Sequence, residues 1–310
     1  MAKLATISVD LDEIDCYAAI HGLTGVELNT RAIYERALPR LAALFDELGV
    51  RATFFAIGRH LSHENGARLR ALHEAGHEIA NHSLHHYYDL TRRPRAEQRA
   101  EVVGGADAIE RAAGARPVGF RAPGYTMTTE LLREVADSGA AYDSSVFPCP
   151  AYYLAKTAVI SWMRLRGRKS SSLISDPRGV LLPPADPYRA GTPFYRPGTG
   201  ILELPIAVTG TLSGRMQFIG TNVASAGELG ARALAHLMRG RPFVNFELHG
   251  IDLADAALDD LVPLVRYQPD LRLSHERKRS ALESAVLTLK DLGYRFVTLH
   301  EAARAFGADR

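Results

Sequence analysis

Short runs rich in apolar and β-branched residues alternate along this chain with longer stretches whose apolar residues recur every three or four positions. LATISVDLD (residues 4–12) is the first such run and predicts a buried strand ending in carboxylates. Residues 30–48 have helical spacing and close on Gly49, and Pro39 predicts that the main helix starts there. VRATFFAIG (50–58) predicts a second strand, HENGARLRALHEAG (63–76) a helix stopped by glycine, and HEIANHS (77–83) a third strand. Residues 95–114 follow as a helix that Gly104 and Gly105 weaken in its middle. PVGFRAPG reads as a strand and turn, TTELLREVADSG (128–139) as a helix, and AAYDSSV as a strand. Near the end come a strand at 242–250, a helix at 275–293, the strand YRFVTLH and a short helix in EAARAFG. This alternation predicts an α/β fold with a parallel sheet, open or closed into a barrel. Functional residues then belong at the C-terminal ends of the strands.

Residues 146–225 interrupt the rhythm with VFPCPAYYLAKTAVISWMRLRGRKSSS and the Pro/Gly-rich LLPPADPYRAGTPFYRPGTG. No internal repeat is visible. The expectation is one domain over residues 1–310, with an irregular insertion at about 146–225 that serves as a lid or substrate-binding region.

Composition narrows the function classes. The chain has 310 residues, 46% hydrophobic and 23% charged, with a net charge of +2. That balance suits an ordinary globular protein and is too mixed to argue for nucleic-acid binding. Cys16 and Cys149 are too few for a disulfide framework, so a reducing compartment is expected. MAKLATISVDLDEID has too short an apolar run for a signal peptide, and no stretch is long and apolar enough to span a membrane. The expected location is cytoplasmic.

Four polar clusters fall at the expected strand ends: Asp10 with Asp12, His82 with His86, Arg121, and His249. Each alone has an ordinary explanation, such as a cap, a polar loop, a turn or a hydrogen-bonded core histidine. Their joint placement on one rim points to chemistry. NHSLHH (81–86) packs three of the chain's 12 histidines into five positions. Two imidazoles and a carboxylate suit Zn²⁺ or another first-row divalent ion such as Co²⁺ or Ni²⁺. A second carboxylate as base and a histidine as acid complete the groups needed to hydrolyse an amide. No Gly-x-Ser-x-Gly elbow, Gly-x-Gly-x-x-Gly or P-loop pattern supports serine or nucleotide chemistry.

These residues resemble the carbohydrate esterase 4, or NodB-homology, polysaccharide deacetylases and their relatives on other C–N bonds, including cofactor-independent allantoinases and lipid-sugar deformylases. The resemblance covers about residues 4–145 and 240–305. It implies a distorted (β/α)-barrel with Asp10 as catalytic base, Asp12, His82 and His86 as metal ligands, and Arg121 orienting the base. It also implies that the Gly124 backbone N–H binds the oxyanion beside Tyr125, and that His249, in Leu248-His249, is the general acid. Tyr142-Asp143-Ser144-Ser145 occupies the place of a further motif. Asp10-Leu11-Asp12-Glu13 departs from the usual Asp-Asp-Gly and resembles the non-polysaccharide branch more. Alternation along a strand would still put Asp10 and Asp12 on one face. Glu13 and Asp15 read as solvated or as substitute ligands, and His85 as a bystander or a ligand in place of His86. Gly124-Tyr125 reverses the common aromatic-Gly order after that proline.

The implied activity is metal-dependent removal of an N-acetyl or N-formyl group from an amino sugar, free or lipid-linked. The alternatives are hydrolysis of a cyclic amide or imide, favoured by a small closed pocket, and non-catalytic carbohydrate binding. In the insertion, Tyr152, Tyr153, Tyr188 and Tyr195 are candidates to stack on a sugar ring. The apolar run 156–163 leads into Arg164, Arg166, Arg168 and Lys169, which reads as a lid helix with a solvated basic end or as a peripheral membrane contact.

Overall fold

The structure is a computed structural model, and it describes residues 3–307 apart from 24, 26, 168 and 174–176. The chain opens with β1 (Leu4–Asp10) and α1 (Ile14–His21), and a π-helical turn at Ile33–Ala37 runs into α2 (Leu38–Glu47). Next come β2 (Thr53–Ala56), α3 (His63–Glu74), β3 (Glu78–Asn81), α4 (Arg95–Ala113), β4 (Gly119–Phe120), α5 (Thr129–Asp137) and β5 (Tyr142–Asp143). The second half holds α6 (Pro150–Leu165), α7 (Pro177–Leu181), β6 (Tyr188–Ala190), β7 (Pro197–Glu203), α8 (Gly220–His236) and β8 (Phe243–His249). α9 (His275–Asp291), β9 (Arg295–Phe296) and α10 (Leu299–Gly307) complete the chain.

The strands form a sheet in the order β6-β7-β5-β4-β3-β2-β1-β8, with β9 also paired to β1. Pairing is parallel except for the β6–β7 hairpin. The sheet curls into a half-barrel, in line with the parallel, barrel-like sheet expected above.

The two sides of the central strands carry different chemistry, because successive side chains point to opposite faces. On β1, Ala5, Ile7 and Val9 face outward into a core with Leu41, Leu44 and Phe45 of α2. Thr6, Ser8 and Asp10 face inward and are equally buried. β8 repeats this pattern, with Val244, Phe246 and Leu248 in the outer core and Asn245, Glu247 and His249 inside. The bottom of the interior is apolar: Leu4, Phe55, Ala80 and Phe243 pack on Leu299, Ala302 and Ala303 of α10. Above that floor the polar groups satisfy one another. Asn245 Oδ1 accepts from Thr6 and Ser8, and its Nδ2 donates to Ser144 Oγ. Polarity therefore rises from floor to rim.

Several boundaries differ from the expectation. β1 ends at Asp10, so Asp12 lies in the following loop and not on the strand. The 50–58 strand shortens to Thr53–Ala56, with residues beyond it turning to follow the loop after β3. Gly104 and Gly105 do not break α4. A Cβ on Gly105 would come within 2.3 Å of Asn81 Oδ1, and one on Gly104 within 2.9 Å of Leu84 Cδ2. Glycine costs about 1 kcal/mol in a helix, and here it lets α4 lie against the loop that carries the histidines. The 146–225 segment is more regular than its composition suggests. Residues 150–165 form a helix whose apolar residues lie on more than one face, which hides the period. β7 joins the main sheet because it pairs with β5, Leu202 opposite Tyr142. Among the described residues no helix is long and apolar enough to cross a membrane.

Candidate active site

The rim is built around Arg121, the residue after β4. Its guanidinium is fully buried over the Phe55 ring, 4.1 Å from the centroid. Nη1 donates to Asp10 Oδ1 at 2.6 Å, Nη2 to Ser8 Oγ and Ser144 Oγ, and Nε to the Ser144 carbonyl. Burial pushes the Asp10 carboxyl up, but the Arg121 charge, aided by His82 and His249, outweighs it and holds the group below its ordinary value.

His82 follows β3, and its Nδ1 lies 2.7 Å from the Arg121 carbonyl. A carbonyl only accepts, so Nδ1 carries a hydrogen and Nε2 is the nitrogen that faces Asp12 and His86. The loop then reverses sharply, with Ser83 and His86 in the left-handed region at φ 67° and 59°. Asn81 Oδ1 accepts from Ser83 N, and Ser83 Oγ accepts from His86 N. This turn sets the His82 and His86 rings 4.7 Å apart. Burial, and then the neighbouring His82, hold His86 well below its ordinary pKa, so it is neutral. His85 turns away and binds Glu101 through its N–H and Nδ1. The structure brings His86 rather than His85 into the cluster.

Asp12 completes a triangle. Its Oδ1 lies 3.5 Å from His82 Nε2 and 3.4 Å from His86 Nε2, and the two nitrogens are 3.2 Å apart. Asp12 Oδ1 is buried and accepts no hydrogen bond among the described residues. Burial raises the Asp12 pKa despite His82 and His249. Ligand atoms around a tetrahedral ion with bonds near 2.0–2.1 Å sit about 3.3–3.4 Å apart. The donor set and its spacing therefore fit a first-row divalent ion. Glu13 is neither solvated nor a ligand: it caps α1 and accepts from Ile33 N and Tyr34 N. Asp15 pairs with Arg59 and His60 beside Cys16. The Arg59 cation already neutralises that second cluster. Both cysteines are free and buried.

His249 ends β8 opposite this triangle. Its Nδ1 lies 3.0 Å from Glu247 Oε1 and its Nε2 3.1 Å from the Tyr125 hydroxyl, which itself donates to Glu247. Burial disfavours the charged ring, yet Glu247, Asp10, Asp252 and Asp12 outweigh burial and raise it to about 9. The sequence reading missed Glu247. Its signal was the alternation Asn245-x-Glu247-x-His249, which puts the carboxylate on the histidine's face.

A cavity of about 280 Å³ opens onto these groups, lined by Asp10, Asp12, His82, Gly124, Tyr125 and His249. Gly124 takes φ 62°, and a Cβ there would meet the Tyr88 ring at 2.9 Å. α6 forms the roof through Tyr152, Ala155, Lys156, Val159, Ile160 and Met163, spaced as one helix face. Tyr153 OH donates to the Tyr125 carbonyl and Lys156 Nζ to the Gly124 carbonyl, tying the roof to the rim. Of the four tyrosines named in the insertion, Tyr152 reaches the cavity. Tyr188 and Tyr195 instead pack in a separate apolar cluster around Phe194.

The site is thus a curled parallel half-barrel with carboxylates, paired histidines and a buried arginine on its rim. Comparisons show what it is similar to. Residues 29–142 match the polysaccharide deacetylase family. A chitooligosaccharide deacetylase of Bradyrhizobium sp. (strain ANU 289) is 39% identical over 93 residues, which is 30% of this chain and 42% of the relative, less than half its length. The crystal structure of a Mycobacterium smegmatis protein described as a polysaccharide deacetylase superposes with a TM-score of 0.64 at 20% identity, over 99% of this chain and 92% of that one. A family 4 acetyl xylan esterase from Clostridium thermocellum, solved with a cobalt ion, gives 0.50 at 16% identity over 99% and 92%. A family 4 pseudoenzyme from Bacillus anthracis gives 0.51 at 14% identity, over 97% of this chain and 66% of that one. The chain is thus similar to polysaccharide deacetylases over residues 29–142 and shares their overall fold.

Proposed function

We propose that this protein is a metal-dependent hydrolase that removes an N-acetyl or N-formyl group from an amino sugar, and that its whole chain acts as one domain. The carrying observation is the triangle of donor atoms from Asp12, His82 and His86 beside an Arg121-held carboxylate. Since a pseudoenzyme shares the fold, the fold alone cannot support catalysis. The residues must do so.

Asp12, His82 and His86 would hold Zn²⁺, or Co²⁺ or Ni²⁺ in its place, and such an ion supplies Lewis acidity toward an acyl carbonyl and toward water. Asp10 is ionised and clamped through Oδ1, leaving Oδ2 to take the proton of the attacking water. His249, charged at neutral pH, faces the same cavity and delivers a proton to the departing amine nitrogen. Glu247 and Tyr125 fix its ring orientation. The Gly124 backbone lines the cavity where the carbonyl oxygen gains charge.

A second reading is kept because the cavity is small and roofed. At about 280 Å³ it holds one sugar ring or a cyclic amide rather than a long glycan. Hydrolysis of a cyclic amide or imide needs the same base, acid and ligands. The test is metal content together with amine release from N-acetyl and N-formyl amino sugars, free and lipid-linked, and ring opening of cyclic ureides. One ion per chain, lost with turnover in a His82→Ala/His86→Ala double variant, is the expected result. Protein that binds no Zn²⁺, Co²⁺ or Ni²⁺ when supplied would overturn the reading and leave carbohydrate binding.

A further inference from the structure

The outer face of α6 has no part in the chemistry above. Residues 144–175 contain none of the chain's 35 acidic residues and hold five cations, Lys156, Arg164, Arg166, Arg168 and Lys169. Arg168 lies outside the described residues. While one face of α6 closes the cavity, the opposite side presents Leu154 at 73% exposure and Leu165 at 86%, and Trp162, 52% exposed, sits on the flank between them and Val159. α7 packs against α6, and Leu181 at its end and Leu182 beyond it are each 55% exposed. A helix that is apolar on both faces normally has both covered. Arg166 stacks over the Trp162 ring at 4.9 Å, so the basic end and the apolar stripe form one surface.

We propose that this surface docks on an anionic lipid bilayer. An exposed apolar stripe with tryptophan at its edge and arginines following it suits the interface between headgroups and acyl chains. Charge selects the occupant. A second copy of this chain, packed symmetrically, would set Arg164, Arg166 and Lys169 against themselves, and among the described residues no carboxylate lies within ion-pair distance of them. An anionic headgroup layer neutralises them. Val159 is 55% exposed and also lines the cavity, so docking sets the cavity mouth at the membrane surface. That last consequence rests on the cavity being the active site, whereas the docking does not.

Trp162 is the chain's single tryptophan, so its fluorescence reports directly on this face. The full chain is mixed with phosphatidylcholine vesicles and with phosphatidylcholine–phosphatidylglycerol vesicles, and both emission and co-sedimentation are read. The expected result is a blue shift and sedimentation with the mixed vesicles only, weakening as salt is raised. Arg164→Glu/Arg166→Glu lowers the partition coefficient by at least about 25-fold, from about fivefold per charge. Leu154→Ser/Leu165→Ser abolishes the shift. His249→Ala loses turnover yet sediments like the parent, whereas unchanged turnover with intact docking would count against the hydrolase reading alone. Two results overturn the docking proposal. One is no shift and no sedimentation with mixed vesicles at low salt. The other is a lipid-free blue shift that grows with protein concentration as sedimentation equilibrium shows a dimer.

Discussion

The rim and the roof of the cavity are held in different ways. Asp10, Arg121 and His82 are essentially inaccessible and stand on strands or one residue beyond them, each fixed by side-chain hydrogen bonds. The roof is one helix, tied down by the Tyr153 and Lys156 bonds, with its far side in solvent. The difference teaches where each property is written. Groups that must agree to a fraction of an ångström are braced by the sheet, while the contacts that close the cavity lie on an element that can be exchanged without disturbing them.

Arg121→Leu breaks the rim most severely. It leaves Asp10 buried without its cation, which costs about 3–5 kcal/mol, read as a large fall in the denaturation midpoint. Arg121→Lys does not restore activity, because one ammonium cannot serve Asp10, Ser8 and Ser144 in the same fork geometry. Asp10→Asn keeps the fold and the metal stoichiometry but lowers kcat by about 10²–10⁴. A variant with near-normal kcat would remove Asp10 from the chemistry.

The pH profile separates the rim's acid from its support. Activity that needs charged His249 persists through neutral pH and declines as pH rises past about 9. Glu247→Gln removes the strongest attraction on that ring, so the alkaline limb moves down toward the ordinary histidine value near 6.5. An unmoved limb would show that another group sets it. The same raised value affects stability. Charged His249 contributes fully below its unfolded pKa and loses that contribution as pH rises through about 9.

The roof is expected to give the smallest effect. Burial lowers the Lys156 pKa to about 8, and among the described residues no carboxylate lies within ion-pair distance of it. Lys156→Met raises KM by about tenfold or less and leaves kcat nearly unchanged, as for uniform binding. A kcat loss as large as that of Asp10→Asn would move Lys156 from the roof's role into the rim's.

How legible all this was in the chain follows the same division. Alternating patterns such as Ile7-x-Val9 and Phe246-x-Leu248 betray the outer core, so the strand–helix order could be read. The rim residues were visible because Asp10, His82, Arg121 and His249 each close a strand. Asp12 reaches its place through a loop, and strand alternation would have placed it there for the wrong reason. Glu13 looked like a spare ligand, although its oxygens serve backbone N–H groups 20 and 21 residues away. Glu247 escaped notice because a carboxylate inside a strand is costly unless a partner such as His249 compensates, and partners across space leave no local mark. β7 was hidden by its Pro and Gly, since its existence depends on β5.

Arg121 holds two parts of the site with opposite ends of one residue: its guanidinium grips Asp10 and its carbonyl grips His82. The proposed base and the proposed ligand thus share a common mount. If thermal motion shifts the loop after β4, both anchored groups are carried in the same direction. The error cancels in the difference between them, and the spacing of proton acceptor and ligand is kept even when its absolute position is not.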